Sequence, residues 1–375
     1  MISSHRSKRL VFLSWIKLIL LASIFPVTSM AQPLAAFHDN QGRFFIFDNG
    51  KIIEAEYLPV KEFSVGGRCL LYTDSRNRLK MYYKGAISTL SLNAPERFEA
   101  LDYLAVYSIG GIVKIIDEGR EFTVSTNAVD YSAQDSMVTF FDLSRQLLAV
   151  YYKGRIQMLE DGLVGNMANQ FRSGDNLVAY ISSRTNNFKI FYGGENRIIE
   201  PFLSNGSFKA GRDVVAYINN SDQQFKVFYR GEIIPAEDFP PESWSVGNGI
   251  CAYVDHTGTF RIFNNGEISD ISSVKPDFYK VEDQMVIFGE DGYFKVWFKD
   301  RIYTLETYIP QQNNWLADWN TIVYLDINRN VKIFSKGEHK VLTYDLAESV
   351  KLYRDVVVVN KGMNNHNVYV GGKKY

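Results

Sequence analysis

A basic residue returns at the same place in one apolar segment after another: Lys80, Lys114, Lys189, Lys226, Arg261, Lys295 and Lys332. Gathered on one surface, these cations would line a basic channel for an anionic ligand. A position set by repetition is met more simply by long aliphatic stems packed between neighbouring units, with the charge at an edge. That packing role is the expectation. An aspartate returns as well, at Asp39, Asp74, Asp142, Asp255 and Asp326. Calcium binding would call for a dense Asp-x-Asp-x-Asp run, which the sequence does not contain. An Asp at a turn commonly bonds its own backbone two residues on, so these read as turn residues. Three tryptophans break the repetition: Trp244, Trp315 and Trp319, beside the long connections DFPPES and YIPQQNN. Exposed on a loop rim they would suit a sugar or peptide ligand; buried, they would fill a wedge near the centre of the fold. They are the candidate ligand-binding residues.

Little else offers chemistry. The histidines (His5, His38, His256, His339 and His366) have no metal-ligand spacing. Asp255 and His256 are adjacent, so their side chains diverge. There is no nucleophile elbow, no phosphate-cradling glycine loop and no metal motif. The sequence therefore assigns no catalytic residue, no cofactor and no metal. The two cysteines, Cys69 and Cys251, each lie at the start of the same strand type about five repeats apart, too far for a disulfide in a ring. They read as buried free thiols.

The elements that carry these residues come from one unit. LVAYISSRTNNFKIFYGGENRI (Leu177–Ile198) is an apolar run, a polar turn, an alternating run, a tight glycine turn and a resumed extended segment. Copies begin at Leu34, Leu70, Leu104, Val138, Val214, Cys251, Val286, Ile322 and Val356. The turn glycine marks the period: Gly50, Gly85, Gly119, Gly154, Gly194, Gly231, Gly266, Gly337 and Gly372, with Asp300 in the one missing place, spaced by about 36 residues. A tight hairpin needs positive φ at this point, which Gly supplies freely and Asp tolerates. A shorter segment precedes each unit, as in QFRSGDN and SFKAGRD. Four strands of about five residues with their turns fill this period. We name them a, b, c and d.

Short strands at even spacing with Gly, Asn and Asp turns predict an all-β fold. Phe225–Tyr229, FKVFY, is apolar on both faces, as a sheet sandwiched between sheets requires. The expectation is a single β-propeller of eight to ten four-stranded blades over residues 32–375, with two smaller propellers as the alternative. Ten b and c strands are legible, but only nine a and nine d strands. The unit FRSGDNLVAYISSRTNNFKIFYGG resembles the WD40-like repeats of TolB-type periplasmic propellers, over Leu34–Tyr375. The Ser-Pro-Asp-Gly turn of those repeats is replaced here by Ser173-Gly174-Asp175. The resemblance implies the fold and carries over no functional residue.

Residues 1–31 read as a secretory signal peptide. Arg6, Lys8 and Arg9 precede an apolar stretch, and Ser29-Met30-Ala31 places small residues for cleavage after Ala31. The apolar run after Lys17 falls short of the ~20 residues of a spanning helix. Without this segment the chain has 37 Lys+Arg against 42 Asp+Glu, a charge near −5, which argues against nucleic acid as a partner. The expectation is a periplasmic or secreted, non-enzymatic propeller with a protein, peptide or glycan partner in the cell envelope. The alternative is a glycan-active hydrolase or lyase, which would need carboxylates converging at one rim of the channel.

Overall fold

The computed structural model describes residues 33–163, 170–204, 206–362 and 365–375. Residues 1–31, read above as a signal peptide, lie outside these residues, as does most of the insertion at 161–170 that lengthens one repeat.

Among the described residues, 39 strands form ten antiparallel sheets. Blade 5 shows the plan: strand a (Phe171–Ser173), b (Leu177–Ile181), c (Phe188–Tyr192) and d (Glu195–Glu200), paired in sequence order. Strand b is buried along its whole length, whereas strand d begins at the surface. The apolar core therefore lies between blades. Ala179, Ile181, Phe188 and Ile190 of blade 5 pack on Phe208, Val215, Tyr217 and Phe228 of blade 6 in one such layer. The c–d turns follow from the glycine reading. Asn49-Gly50 has φ 46 and 89, and Lys299-Asp300 keeps the same left-handed pair at 50 and 60 without a glycine. Two successive positive φ values define the turn that matches strand twist in a two-residue hairpin.

The tenth d strand is Lys373–Lys374, two residues paired with Tyr369 and Val370. It is too short to show an alternating pattern, which is why the sequence revealed only nine. Nine blades have four strands. Among the described residues the first has three, b (Leu34–His38), c (Phe44–Asp48) and d (Lys51–Glu56). The ring nevertheless closes as a single propeller. Val356, Val358 and Val368 of blade 10 pack on Ala35, Phe37 and Phe47 of blade 1. At the inner edge, strand a of blade 10 (Ser349–Tyr353) meets strand a of blade 2 (Glu62–Val65). The Tyr353 and Phe63 rings lie 6.4 Å apart, and Lys351 sits 5.3 Å above Phe63. Tyr353 Oη also donates to the Ala36 carbonyl at 2.9 Å, capping one backbone acceptor on the inner edge of blade 1. The described inner wall thus has nine strands inside ten blades.

The recurring cations have a structural role with a partner the sequence reading missed. In five blades strand d ends in a glutamate: Glu56, Glu160, Glu200, Glu237 and Glu306. A bulge just before each one turns it toward the next blade, as bulges do. There Glu237 accepts from Tyr253 Oη at 2.7 Å and Arg261 Nη1 at 2.6 Å. Glu56 holds Tyr72 and Lys80, and Glu306 holds Tyr324 and Lys332, in the same way. Five of the seven strand-c cations therefore latch neighbouring blades together, while Lys114 and Lys295 pair within their own blades with Glu121 and Glu290, and the set does not form a basic channel. The recurring aspartates are turn residues: Asp74 Oδ1 accepts the amides of Arg76 and Arg78, both at 2.9 Å.

Candidate functional site

The a–b turns converge at one end of the channel around a cavity of about 320 Å³. Superposing the repeats on strand b makes its logic visible. Two residues before strand b stand Asp102, Asp135, Asp175 and Asp283 in blades 3, 4, 5 and 8. Arg212 and Arg354 hold this place in blades 6 and 10, Asn248 and Trp319 in blades 7 and 9, and Gly67 in blade 2. One residue earlier, Glu282 and Asp318 add two more carboxylates to the cavity. Six carboxylates therefore face two arginines.

Neighbouring turns are stitched backbone to backbone, which fixes this ring. Asn248 N donates to Asp283 O at 2.7 Å, and Tyr103 N to Asp135 O at 3.2 Å. Glycines allow the approach. A Cβ on Gly174, Gly211 or Gly247 would lie 2.0 to 2.2 Å from the carbonyl oxygen of the next turn, so no side chain fits there.

Arg354 spans the widest step. Blade 2 offers only Gly67, so the Arg354 guanidinium reaches Asp102 of blade 3, with Nη1 2.9 Å from Oδ1. The two lack hydrogen-bond alignment, and Nη1 has no hydrogen-bond acceptor among the described residues. The same guanidinium lies 4.3 Å over the Trp319 ring. Its own amide donates to Asp318 Oδ2 at 2.7 Å.

The arginines do not neutralise the mouth. Burial pushes the Asp102 carboxyl up to about 6, Asp135 adds repulsion, and Arg354 only partly opposes them. Burial, then Glu282 and Asp318, raise Asp283 to about 7. Asp175 and Glu282 are also raised, by burial first. A carboxyl raised in the folded state favours folding while protonated, and that advantage is lost as pH climbs from the ordinary carboxylate range through the raised value. Asp283→Asn should therefore leave the melting temperature unchanged at pH 4 and raise it at pH 8. Discounted for solvent screening of this partly exposed carboxyl, the gain is about 2 kcal/mol. Thermal melts of both proteins across this range check it.

The three candidate tryptophans separate. Trp319 is part of the mouth and is 37% exposed. Trp244 and Trp315 instead face Tyr253 and Tyr324 of strand b, the same register place as Phe63, Phe171 and Phe208. They are the repeat's interblade aromatics: Trp244 packs 5.6 Å from Phe225, and Trp315 5.7 Å from Phe294. Trp315 also lines a separate cavity of about 480 Å³ with Tyr279, Ile309 and Pro310. The carboxylate ring was missed because its members lie some 35 residues apart and no two share a local motif. Aligning the copies on strand b would have put four aspartates in one column.

The cysteines are free and buried, and burial pushes the Cys69 thiol up to about 12. Among the described residues, no group of three or more His, Cys, Asp or Glu is placed to hold a metal ion, and no helix is long and apolar enough to cross a membrane.

These features define a closed ten-bladed β-propeller with an acid-lined channel mouth. The chain belongs to the family described as the 10-bladed beta propeller domain, whose model matches residues 28–375. No curated protein matches the sequence significantly. Among solved structures, the computationally designed Ika8 protein is similar at 16% identity over 72% of this chain and 96% of its own, with a TM-score of 0.34. Prp20p from Saccharomyces cerevisiae is similar at 10% identity over 69% and 79%, with a TM-score of 0.35. PorZ of Porphyromonas gingivalis is similar at 9% identity over 84% and 51%, with a TM-score of 0.32.

Proposed function

We propose that this protein is an exported, non-catalytic propeller that binds a cationic segment of a protein or peptide partner in the cell envelope, at the mouth of its channel. The observation that carries this reading is an excess of negative charge: Arg354 lies 2.9 Å from Asp102, Arg212 3.7 Å from Asp175 and Lys280 2.7 Å from Glu282, whereas Asp135, Asp283 and Asp318 have no cation within ion-pair distance among the described residues. Six carboxylates share one cavity with two arginines, and four of them are held above their ordinary range. A purely structural cluster would pair its charges, whereas perturbed groups in a cleft mark a functional site. A cation entering the mouth relieves the repulsion. Trp319 offers it a ring face, and Arg354 already shows how a guanidinium sits there. Export rests on the character of residues 1–31; amino-terminal sequencing of the mature protein should begin at Gln32.

Arg354 is then a tethered competitor for the ligand's cation. Arg354→Ala should tighten binding of an N-acetylated, C-amidated glycine peptide with a single arginine by about fivefold, and Trp319→Ala should weaken it by a similar factor. Fluorescence titration of the mature protein reads both. Weaker binding to Arg354→Ala would show that the arginine recruits an anion and would overturn the reading.

The second reading, a glycan-active hydrolase or lyase, is favoured by one observation. Asp283, raised to about 7, would be partly protonated near neutrality, as a general acid must be. Turnover of an envelope polysaccharide that is lost in Asp283→Asn would favour it over the binding reading.

A further inference from the structure

Blade 8 breaks the pattern of the repeat where it meets blade 9. In every other described strand a, the residue just before the interblade position is polar, as Glu62, Gln170, Ser243 and Ser349 show. Strand a of blade 8 (Phe278–Glu282) has Phe278 there, ahead of Tyr279. Its partner on strand b departs as well. Phe278 pairs with Gly289, whereas Glu62 pairs with Thr73 and Ser243 with Val254. Gly289 does not have a positive φ, so this glycine serves space and not conformation. A Cβ there would lie 2.6 Å from Phe278 Cε1 and 2.8 Å from Ile309 Cδ1. Phe278 and Ile309 thus occupy the place of the side chain that strand b lacks.

The connection from blade 8 to blade 9 is also unlike the others. It holds the single 3-10 turn among the described residues, Gln312–Asn314, which runs directly into strand a of blade 9 (Trp315–Asp318). Beside it lies the cavity of about 480 Å³, lined by Phe278, Tyr279, Ile309, Pro310 and Trp315, with Lys280 and Gln312 as its polar members. Lys280 is paired with Glu282 at 2.7 Å, and Tyr279 Oη donates to Ser243 Oγ at 2.8 Å. Gln312 apart, the cavity therefore offers a ligand rings and aliphatic carbon. Trp315 keeps its interblade place and serves as wall, 6.1 Å from the Phe278 ring. Two strands connect this cavity to the acidic mouth. Strand a of blade 8 runs from Phe278 to Glu282 and strand a of blade 9 from Trp315 to Asp318, and Glu282 and Asp318 line the mouth. Leu316, exposed on the second strand, adds apolar surface along the way.

We propose that this cavity takes an aromatic side chain of the same partner segment whose cation rests in the acidic mouth. The inference rests on the reading of the mouth given above and names its ligand more closely. Cavity and mouth are three to four residues apart along these strands, about 10 to 13 Å. An extended peptide covers that distance with about three or four residues. The ligand is thus an extended segment with a basic and an aromatic residue at that spacing. A sugar would bring hydroxyl groups that five apolar and aromatic side chains leave unsatisfied. A phenyl ring instead gains both from the area it buries and from tilted contacts with other rings. The wall already packs in this way, with Phe294 5.7 Å from Trp315 and 6.5 Å from Phe278.

The test titrates three N-acetylated, C-amidated peptides into the mature protein: Arg-Gly-Gly-Gly-Phe, its reverse Phe-Gly-Gly-Gly-Arg, and Arg-Gly-Gly-Gly-Gly. At least one phenylalanine peptide should bind about tenfold more tightly than the peptide without it. Gln312→Trp places a bulky ring at an exposed position of the lining, and Ile309→Ser removes part of the apolar wall. Each should bring the phenylalanine peptide down toward the affinity of its glycine counterpart, and Asp283→Asn should weaken all three peptides alike. Unchanged melting curves of the variants exclude misfolding as the cause. Equal affinity of all three peptides overturns this inference and leaves the acidic mouth as the binding site. A preference for phenylalanine that survives both substitutions overturns the assignment to this cavity. Failure of every peptide to bind overturns both the inference and the reading beneath it.

Discussion

Removal of residues 356–375 leaves no stable monomer. The deletion takes strands b, c and d of blade 10 (Val356–Asn360, His366–Val370 and Lys373–Lys374). It strips the partners of Ala35, Phe37 and Phe47 on blade 1, and of Val323 and Ile333 on blade 9. Val356, Val357, Val358, Val359, Val368 and Tyr369 are each no more than 5% exposed. Burying six such side chains contributes roughly 10 kcal/mol, which is comparable with the whole stability of a typical domain. The loss also frees the outer faces of two blades and their strand edges, which invite intermolecular pairing. Light scattering and a thermal melt of the truncated protein read the outcome. A truncated chain that stays monomeric and melts at the wild-type temperature would show that the ring does not depend on closure.

A single side chain in the latch between blades 6 and 7 has the next largest effect. Glu237→Ala should destabilise the protein by about 3 kcal/mol, because a buried hydroxyl and a half-buried guanidinium lose their shared acceptor. Tyr253 is fully buried and Arg261 Nη1 has its shortest contact with Glu237. Arg261 keeps Asp270 through Nε at 2.8 Å, so its charge is not wholly orphaned. Glu237→Gln retains an acceptor for Tyr253 and should cost about 1 kcal/mol. A urea titration at neutral pH measures both. Equal losses from the two substitutions would show that a neutral acceptor rescues nothing and that the charge of Glu237 carries the whole effect.

The period, the turns and the all-β architecture were written in the chain because they are local. A glycine at positive φ, an apolar run and a polar turn each announce themselves within a few residues. The latch glutamates were nearly as plain, since each copy that has one ends strand d with it, yet their partners lie on the next blade and only the ring reveals the contact. Tryptophans 244 and 315 drew attention by their size, which hid their register. Aligned on strand b, they fall where Phe63 and Phe208 fall. The channel mouth was least legible. Asp102 and Asp283 are 181 positions apart and look like ordinary turn residues until eight turns meet at one cavity. What distinguishes them is the shared burial and repulsion that raise them, a property of the assembled ring.

The most direct test of this account is an NMR titration of the side-chain carboxyl carbons of Asp102 and Asp283, with and without the amidated arginine peptide. Burial, with repulsion from the neighbouring carboxylates, predicts that both titrate well above the ordinary aspartate range in the free protein, near the values of about 6 and about 7 given above. It also predicts that both move down when the peptide is bound, because a bound cation favours the ionised form. Carboxyls that titrate in the ordinary range, or that do not respond to the peptide, would contradict the assignment of the channel mouth as a cation-binding site.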